Sequence, residues 1–322
     1  MKALQLAARG DPCEVVRLVE VPDVGAPRAG EVVIDVEASP VEPTDLAIIA
    51  GTYGYLPPLP HLLGAQGVGR VAAVGRDVDY VREGDRTLVP LLSNAWAERV
   101  KTDVPWLRPL PKGDVGQLSM LGIDPPTACL LLTEFVRPRA GEWVIQNAAN
   151  SGVGRSVIAL ARARGLRTVN VVRRAEVVAE LTALGGDVVL VDGPDLARRI
   201  AAATDRAPVE LALDGVGGES TQRLLDAIAP YGTVAVYAGM SGEPARVSSP
   251  NLVYTSQCLR GFWVVTWLRR QTSVEKVASL YRECAAASTP YPIAGEFGLG
   301  EHAEALTVAA KFRGKAIFKP NG

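Results

Sequence analysis

The chain has 322 residues, of which 48% are hydrophobic and 21% charged, and its formal net charge is -1. This balance is typical of a soluble globular protein with about two domains. There is no excess of basic residues of the kind that nucleic-acid binding requires, and no apolar run reaches the roughly 18 residues of a membrane span. We therefore expect neither a nucleic-acid nor a membrane partner.

The N-terminus and the cysteines indicate the compartment. The first residues, MKALQLAARGDP, begin an ordinary strand pattern instead of a signal or transit peptide. The cysteines are scattered along the chain, which favours buried thiols over a disulfide framework: Cys13, Cys129, Cys258 and Cys284. We expect a cytoplasmic protein.

Residues 1–122 are rich in strand and turn signals. EVVIDVEASP alternates apolar and polar residues, and TDLAIIA is typical of a short helix that ends at Gly51. The loop GTYGYLPPLP follows, and its prolines exclude regular structure. Short strands separated by glycine turns come next, in GVGRVAAVGRDV, GDRTLVPL and AWAERVKTD. This pattern predicts a compact, partly closed β-barrel.

From residue 123 strands and helices alternate, which predicts a parallel sheet with right-handed crossovers. LRGFWVVTWL, residues 259–268, is predicted to be a long apolar strand, and RGKAIFKP returns to β character near the C-terminus. A lone terminal strand needs a partner, so we expect it to complete the first domain. The prediction is an α/β fold, with residues 1–122 and 275–322 in the barrel domain and 123–274 in the sheet domain.

A glycine turn opens the first crossover of the sheet domain. The apolar run EWVIQN is followed by the turn from Ser151 to Gly154 and by a helix over residues 155–164 that stops at Gly165. Glycines let backbone N–H groups approach a pyrophosphate closely, and the helix N-terminus faces it with the positive end of its dipole. The turn therefore predicts a dinucleotide site.

Two arginines identify the dinucleotide. At the end of the second strand a carboxylate would bind the ribose 2′-hydroxyl of NAD. Arg173 and Arg174 stand there instead. Their guanidinium groups can hold a 2′-phosphate through paired hydrogen bonds, so the sequence predicts NADPH.

Several motifs occur in the order and at the spacing of a known family: GTYG, NAANSGVGRSVIALA, VNVVRR, LDGVGG, YAGMSG, RGFWV and GKAIF. They give the whole chain a resemblance to the medium-chain dehydrogenases/reductases. Within that superfamily the chain is most similar to the 2-enoyl thioester reductases, which reduce trans-2-enoyl-CoA or enoyl-ACP with NADPH.

The resemblance implies a Rossmann-type doubly wound parallel sheet for NADPH and a GroES-like β-barrel catalytic domain. Besides the two arginines, it assigns cofactor contacts to the glycine turn, to two later strand ends and to the C-terminal strand. These residues are Asn150, Ser151, Gly152, Val153, Tyr237, Ala238, Gly239, Met240, Phe262, Trp263, Val264 and Lys315.

The catalytic residue implied by the resemblance is Tyr53, the proton donor of the enoyl reductases. Hydride addition at C3 of a 2-enoyl thioester leaves an enolate that needs a proton at C2. A tyrosine with an ordinary pKa near ~10 holds that proton at neutral pH. From the residues alone, an aromatic that caps a turn is the preferred interpretation of Tyr53 or its neighbour Tyr55, and it is the resemblance that favours Tyr53 as the proton donor.

A catalytic metal is not expected. Zinc-dependent members of the superfamily carry an early cysteine and a Gly-His-Glu where this chain has Gly64-Ala65-Gln66. Catalytic zinc needs about three N, S or O ligands in one pocket. The two histidines, His61 and His302, are far apart in the sequence, and His61 is expected to be a packing or surface residue.

Two positions depart from the pattern of the enoyl reductases. Asp124 stands where the family usually has an asparagine that meets the cofactor, and Cys129 replaces a frequent tyrosine. A carboxylate at Asp124 could accept a hydrogen bond from a ribose hydroxyl, but it is unfavourable near phosphates.

Two other functions remain open. One is an NADPH:quinone oxidoreductase of the same superfamily, which would not need Tyr53, and the other is a non-catalytic NADPH-binding protein. The VVRR and GTYG motifs favour the reductase of an enoyl thioester. Arg269 and Arg270 are candidates for contacts with the phosphates of its carrier.

A homodimer is also expected. The predicted strand around residues 262–267 would leave an exposed apolar edge. Pairing with a second copy across a two-fold axis, as in the family, would cover that edge.

Overall fold

The computed structural model describes residues 1–287, 289–311 and 313–322. They form two compact units. The first comprises Met1–Ile123, Gln271–Ala285 and Pro290–Gly322, and the second comprises Asp124–Arg270 and Ala286–Thr289. Every helix in these ranges is too short or too polar to span a membrane.

The strands, in chain order, are β1 (Lys2–Leu6), β2 (Val16–Glu20), β3 (Val32–Pro40), β4 (His61–Leu62), β5 (Gly67–Val74), β6 (Arg86–Val89), β7 (Arg99–Thr102), β8 (Trp143–Gln146), β9 (Arg167–Val172), β10 (Val188–Val191), β11 (Leu211–Asp214), β12 (Thr233–Val236), β13 (Cys258–Gly261), β14 (Ile293–Phe297) and β15 (Lys315–Phe318). The α-helices are α1 (Pro12–Val15), α2 (Pro43–Ala50), α3 (Val115–Leu118), α4 (Asp124–Leu131), α5 (Gly152–Ala163), α6 (Val178–Leu184), α7 (Leu196–Ala203), α8 (Gly218–Leu225), α9 (Ser249–Val253), α10 (Val264–Arg269), α11 (Val274–Ala286) and α12 (His302–Ala309).

The first unit is organised around β3. Its larger sheet has the order β14-β15-β3-β5-β6, with β7 also pairing with β3, and a smaller sheet has the order β2-β1-β4. β15 runs antiparallel to β3, with Ile317 opposite Pro40, which confirms that the C-terminal strand pairs with the N-terminal region. Trp96 packs edge-on against Phe318 with ring centroids 5.0 Å apart, at the centre of a buried apolar cluster.

The second unit contains a parallel sheet of order β10-β9-β8-β11-β12-β13. The chain starts in the middle at β8, moves outward to β10, returns to β11 and then moves outward on the other side. This is the doubly wound order of dinucleotide-binding sheets, in which ligands bind at the carboxyl ends where the order reverses. β8 and β11 are buried along their whole lengths, as expected of strands covered by helices on both faces. The predicted α/β fold class is confirmed.

The prediction of one long strand over residues 259–268 is wrong. β13 ends at Gly261, and the chain then forms α10. Val264, Val265 and Trp267 are buried on this helix. A continuous apolar run has no hydrophobic periodicity, so its sequence does not distinguish a strand from a buried helix. Residues 262–267 therefore form no strand that could pair across a dimer axis, and the strand at the edge of the sheet is β13.

Candidate active site

The turn between β8 and α5 exposes backbone N–H groups. Ala148 has a left-handed conformation (φ 48°), which turns the chain sharply after β8. The hydroxyl of Ser151 then caps α5 by accepting a hydrogen bond from the N–H of Gly154 at 3.1 Å. The N–H groups of Gly152 and Val153 have no acceptor inside the helix because they belong to its first turn. The N-terminus of this 12-residue helix is therefore suited to an anion.

Close contacts explain the glycines of this turn. A Cβ atom on Gly154 would lie 2.5 Å from the carbonyl oxygen of Ala149. A Cβ atom on Gly152 would lie 1.7 Å from Oδ2 of Asp124, so the Asp124 carboxylate rests against the backbone of Gly152. The structure thus brings Asp124 and the glycine turn together.

A buried network joins the two strands at which the sheet order reverses. The side chain of Asn147 donates to Oδ1 of Asp214 at 2.7 Å, and its Oδ1 accepts from the N–H of Gly215 at 2.7 Å. Oδ2 of Asp214 accepts from the hydroxyl of Thr221 at 2.5 Å. Asn147 and Asp214 hold the turn after β11 in place. Sequence reasoning did not assign them this positioning role, although both lie within the NAAN and LDGVGG motifs.

Tyr237 brings a phenol into the same region. A Cβ atom on Gly215 would lie 2.6 Å from its hydroxyl oxygen. The hydroxyl is buried, and within the described residues no hydrogen bond of normal geometry reaches it. Burial raises the pKa of Tyr237, while the nearby Ser151 hydroxyl acts in the opposite direction. A buried phenol without a normal hydrogen bond next to the glycine turn is a polar group available to a ligand.

The two predicted 2′-phosphate residues follow β9 and differ in their surroundings. Arg173 is exposed and forms no ion pair with any residue that the structure describes. Arg174 is partly buried, and its Nε lies 3.4 Å from a carboxylate oxygen of Glu176. Arg173 is therefore the better candidate to hold a ligand phosphate.

The other predicted contacts in this unit follow β12 and β13, whose carboxyl ends share the edge of the sheet with the glycine turn. The N–H of Met240 bonds to the carbonyl oxygen of Gly215 at 3.1 Å, so the Tyr237–Met240 segment folds back over the turn after β11. Ala238 is half-buried, and Gly239 and Met240 are exposed.

Phe262 and Trp263 connect β13 to α10, and Val264 is the first residue of that helix. The N–H of Phe262 bonds to the carbonyl oxygen of Val236 at 2.8 Å. Its ring packs edge-on against Phe135. Trp263 is the N-cap of α10 and Val264 is buried. These residues are thus anchored beside the end of β12.

Tyr53 lies in the first unit, on the loop after α2. Gly51 ends α2 in a left-handed conformation (φ 80°), and the N–H of Tyr53 bonds to the carbonyl oxygen of Ala47 at 3.2 Å. The ring is half-buried against an apolar cluster, whereas Tyr55 is exposed. The guanidinium of Arg9 donates to the carbonyl oxygens of Ile48 in the last turn of α2 and of Pro57 in the loop, at 2.6 and 2.7 Å, which links the loop to the helix. Nothing in the sequence signals this role of Arg9.

Lys315, also in the first unit, belongs to a buried polar cluster. Its ammonium forms an ion pair with the carboxylate of Glu42. Glu42 also accepts from Nε2 of Gln66 at 2.8 Å. The neighbouring Asp45 accepts from the N–H groups of Glu42 and Ala65 at 2.9 and 2.8 Å. Burial raises the pKa of the Asp45 carboxyl to about 8, against the opposing effect of these two hydrogen bonds.

Sequence reasoning did not single out Glu42 and Asp45. The sequence did contain one signal for them: Glu42 and Asp45 are three positions apart, which is the spacing of a capping box at the start of a helix. The structure assigns Lys315 a partner within its own unit, and its predicted contact with the cofactor stays a prediction.

His61 also lies in the first unit. His61 is half-buried in β4, and burial, with a smaller effect of Arg9, lowers its pKa. Across the described parts of the chain, no group of three or more His, Cys, Asp or Glu side chains is arranged to hold a metal ion.

Comparisons with known proteins agree with this architecture. Residues 28–122 match the family model of the alcohol dehydrogenase GroES-like domain, and residues 152–282 match that of the zinc-binding dehydrogenases. The mitochondrial enoyl-[acyl-carrier-protein] reductase of Dictyostelium discoideum is 34% identical over 296 residues, which cover 85% of this chain and 81% of that protein.

Two solved structures have the same fold over 99% of this chain. A putative NADPH:quinone reductase of Bacillus thuringiensis has a TM-score of 0.89 at 24% identity, with 98% of its chain covered. Etr1p of Candida tropicalis, in complex with NADP and crotonyl-CoA, has a TM-score of 0.84 at 22% identity, with 99% of its chain covered. Together with the doubly wound sheet and the glycine turn, these similarities show that the chain belongs to the medium-chain dehydrogenases/reductases and, within them, to the enoyl-[acyl-carrier-protein] reductase family.

Proposed function

We propose that this protein uses NADPH to reduce the C2=C3 double bond of a trans-2-enoyl thioester carried by acyl carrier protein or coenzyme A. The observation that carries the proposal is the glycine turn of α5 with Arg173 beyond β9, in a chain 34% identical to a relative named as an enoyl-[acyl-carrier-protein] reductase. The NADP and crotonyl-CoA named for the Etr1p complex are in keeping with it.

The residues of the second unit fit a dinucleotide. The first N–H groups of α5 offer donors for the pyrophosphate, with Asn150 and Ser151 on the preceding loop. Arg173, aided by Arg174, would hold the 2′-phosphate. Tyr237, Ala238, Gly239 and Met240 would line the nicotinamide ribose, and Phe262, Trp263 and Val264 the nicotinamide. The buried Tyr237 hydroxyl supports this assignment because it has a hydrogen bond to offer.

The bound cofactor supplies the hydride that reaches C3. The chain must then deliver a proton to C2, and we assign this role to the hydroxyl of Tyr53. The support is its half-buried position on a loop that Arg9 links to the last turn of α2. A loop fixed in this way limits the conformations that a proton donor can adopt, which favours general acid catalysis.

A second candidate is reduction of a quinone by NADPH. The specific observation in its favour is the TM-score of 0.89 with a putative NADPH:quinone reductase. Reduction of a quinone requires no protonation of a carbon atom, so this activity should not depend on Tyr53. The third possibility, an NADPH-binding protein without turnover, predicts binding in the absence of any reaction.

We also propose that the protein is a homodimer that pairs through the free edge of β13. β13 is the last strand of its sheet and is exposed along most of its length. Tyr231, Val253 and Tyr254 are exposed apolar side chains near its start, where the N–H of Tyr231 bonds to the carbonyl oxygen of Thr255. An unprotected edge with apolar neighbours favours association.

The decisive experiment compares NADPH oxidation by the unmodified enzyme, Tyr53→Phe and Tyr55→Phe, with crotonyl-CoA, a longer trans-2-enoyl-CoA and a benzoquinone as substrates. We expect enoyl-CoA turnover that falls by about 10²- to 10⁴-fold in Tyr53→Phe. Tyr55→Phe is the matched control because it removes a hydroxyl from the same loop.

The other possible outcomes would favour a different function or a different cause of the lost activity. Quinone turnover alone, unaffected by Tyr53→Phe, would favour the second candidate. Tight NADPH binding without turnover of any substrate would favour the non-catalytic protein. Equal losses in both phenylalanine variants would show that the loop, and not the Tyr53 hydroxyl, is responsible.

A further inference from the structure

Asp192 directly follows β10, beside the end of β9 where Arg173 stands. The two strands are parallel with Val191 opposite Val172, and the N–H of Asp192 bonds to the carbonyl oxygen of Val172 at 2.8 Å. Neighbouring strands of a sheet lie about 4.8 Å apart. Asp192 and Arg173 are therefore neighbours at the carboxyl edge of the sheet, where ligands bind in doubly wound folds.

Both oxygens of the Asp192 carboxylate accept two hydrogen bonds. Arg223 on α8 pairs with both of them: its Nε donates to Oδ1 at 2.6 Å, and its Nη2 donates to Oδ2 at 2.7 Å. The hydroxyl of Ser220 donates to Oδ2 at 3.1 Å, and the N–H of Gly193 donates to Oδ1 at 2.9 Å. A guanidinium that binds a carboxylate through two parallel hydrogen bonds fixes its orientation as well as balancing its charge.

The Arg223–Asp192 pair continues into the buried network at the reversal of the sheet order. Asn147 donates to the hydroxyl of Ser220 at 3.1 Å as well as to Asp214. A row of hydrogen bonds therefore joins the carboxyl ends of β10, β8 and β11, and β9 lies between β10 and β8 in the sheet. A dinucleotide whose pyrophosphate binds the glycine turn and whose 2′-phosphate binds beyond β9 would have its adenosine beside this row.

Other charged groups close to this pair are matched with one another. Glu219 acts electrostatically on Arg223 from the same helix, but it forms its own ion pair with Arg246. On α7, Nε of Arg199 lies 2.9 Å from a carboxylate oxygen of Asp195. In the part of the chain that the structure describes, the cation that balances the carboxylate after β10 is therefore Arg223.

A carboxylate without its cation at this position would repel a 2′-phosphate and would compete with it for Arg173. A carboxylate at a strand end is also what favours NAD in sheets of this kind. We infer that Arg223 sets the preference for NADPH over NADH by neutralising and orienting Asp192. Arg223 is thus a positioning residue that acts through Asp192. This inference rests on the proposed function, because it concerns the specificity of the same NADPH site.

The test is isothermal titration calorimetry of the whole protein with NADPH and with NADH. It compares the unmodified protein with Arg223→Met, Asp192→Asn and the double variant. Arg139→Met is the control, because it also takes an arginine from an acidic neighbour, Glu142, but at the opposite end of β8. Circular dichroism establishes that each variant is folded, and Asp192→Asn decides the question by itself if Arg223→Met is not.

The preference is measured as the Kd for NADH divided by the Kd for NADPH. This ratio should fall about threefold to tenfold in Arg223→Met, rise in Asp192→Asn and return close to the unmodified value in the double variant. Both single changes break the same ion pair but leave charges of opposite sign, so a purely structural role would move the ratio in the same direction in both. Added salt should reduce both changes, because the pair is partly open to solvent.

The remaining outcomes overturn the inference. A ratio that falls in both single variants would make the pair a structural link only, and a ratio that changes in neither would give it no part in specificity. An equal fall in Arg139→Met would trace the effect to the total charge of the protein. In all three cases NADPH binding, and with it the proposed function, would still stand. The absence of dinucleotide binding in every protein, the unmodified one included, would overturn the proposed function as well.

Discussion

The ammonium of Lys315 and the carboxylate of Glu42 form a buried ion pair between residues that are 273 positions apart in the sequence. Lys315 opens β15, and Glu42 caps α2, the helix that leads to the Tyr53 loop. Because both side chains are almost fully buried, the pair fixes the C-terminal strand to the start of that helix.

Removing both members of this pair should cost less stability than the sum of the two single removals. Lys315→Met leaves the Glu42 carboxylate buried without its ammonium, which should lower the free energy of unfolding by about 3–5 kcal/mol. The double variant Glu42→Gln/Lys315→Met removes both charges and should lose less than the sum of the single changes. Urea denaturation of the four proteins of this cycle measures the coupling. Strictly additive losses would contradict a direct pair.

The same variants test the predicted cofactor role of Lys315. If its ammonium acts only within the cluster, the Kd for NADPH of the folded Lys315→Met protein should stay within about twofold of the unmodified value, a change well below 1.4 kcal/mol. A larger increase in Kd that Glu42→Gln does not reproduce would favour direct contact with the cofactor.

Asp45 should make stability depend on pH. Its pKa is raised to about 8 in the folded protein by burial, whereas an unfolded aspartate titrates near about 3.9. The folded state thus keeps a proton that the unfolded chain releases. The stabilisation is complete below the unfolded pKa and is lost as the pH rises through about 8. The free energy of unfolding should therefore fall between about pH 5 and pH 8, by at most about 1.4 kcal/mol per pH unit.

Asp45→Asn is the variant that isolates this effect. Asparagine cannot accept from both backbone N–H groups, so the variant should be less stable at low pH, but its stability should vary less with pH. Urea unfolding at several pH values gives both curves, and their difference removes the contribution of every other group. Parallel curves would exclude Asp45 as the source of the slope.

Local sequence patterns predicted the elements that have a regular hydrophobic periodicity or end at a glycine or proline. The helix after the glycine turn, the end of α2 at Gly51 and the return of the C-terminal strand to the N-terminal domain are confirmed. Residues 262–268 were mispredicted because every position of the run is compatible with burial in either a strand or a helix. The buried cluster of Glu42, Asp45 and Lys315 was missed because isolated charged residues give no sign of their burial, which only the folded chain decides.

The edge of β13 gives a specific test of the proposed homodimer. The N–H groups of Cys258 and Phe262 donate to the carbonyl oxygens of Gly232 and Val236, on the β12 side. Because N–H groups alternate in direction along a strand, those of Leu259 and Gly261 point to the free edge. Gly261→Pro removes one outward N–H group and adds a ring there. Light scattering should find the unmodified protein at twice the mass of one chain, and Gly261→Pro at a lower average mass.

Gly261→Ala is the control for this change. A Cβ atom at Gly261 meets nothing within 4 Å, so alanine should leave both fold and association unchanged. A Gly261→Pro protein that remains folded and fully dimeric would exclude pairing through this edge, and circular dichroism establishes whether it is folded.

Arg173 should determine the preference for NADPH over NADH. It is exposed at the end of β9 without an ion pair among the described residues, whereas Arg174 already has Glu176 as a neighbour. A charge-assisted hydrogen bond contributes about 1.5–3 kcal/mol, so Arg173→Ala should raise the Kd for NADPH at least about tenfold. NADH lacks the 2′-phosphate, and its Kd should change little, so the ratio of the two constants isolates the phosphate contact.

Arg174→Ala should change the ratio less, because the guanidinium is shared with Glu176. Arg139→Ala removes another exposed arginine of the same unit and controls for total charge. If the ratio were the same in Arg173→Ala as in Arg139→Ala, the 2′-phosphate would have to be held by other residues.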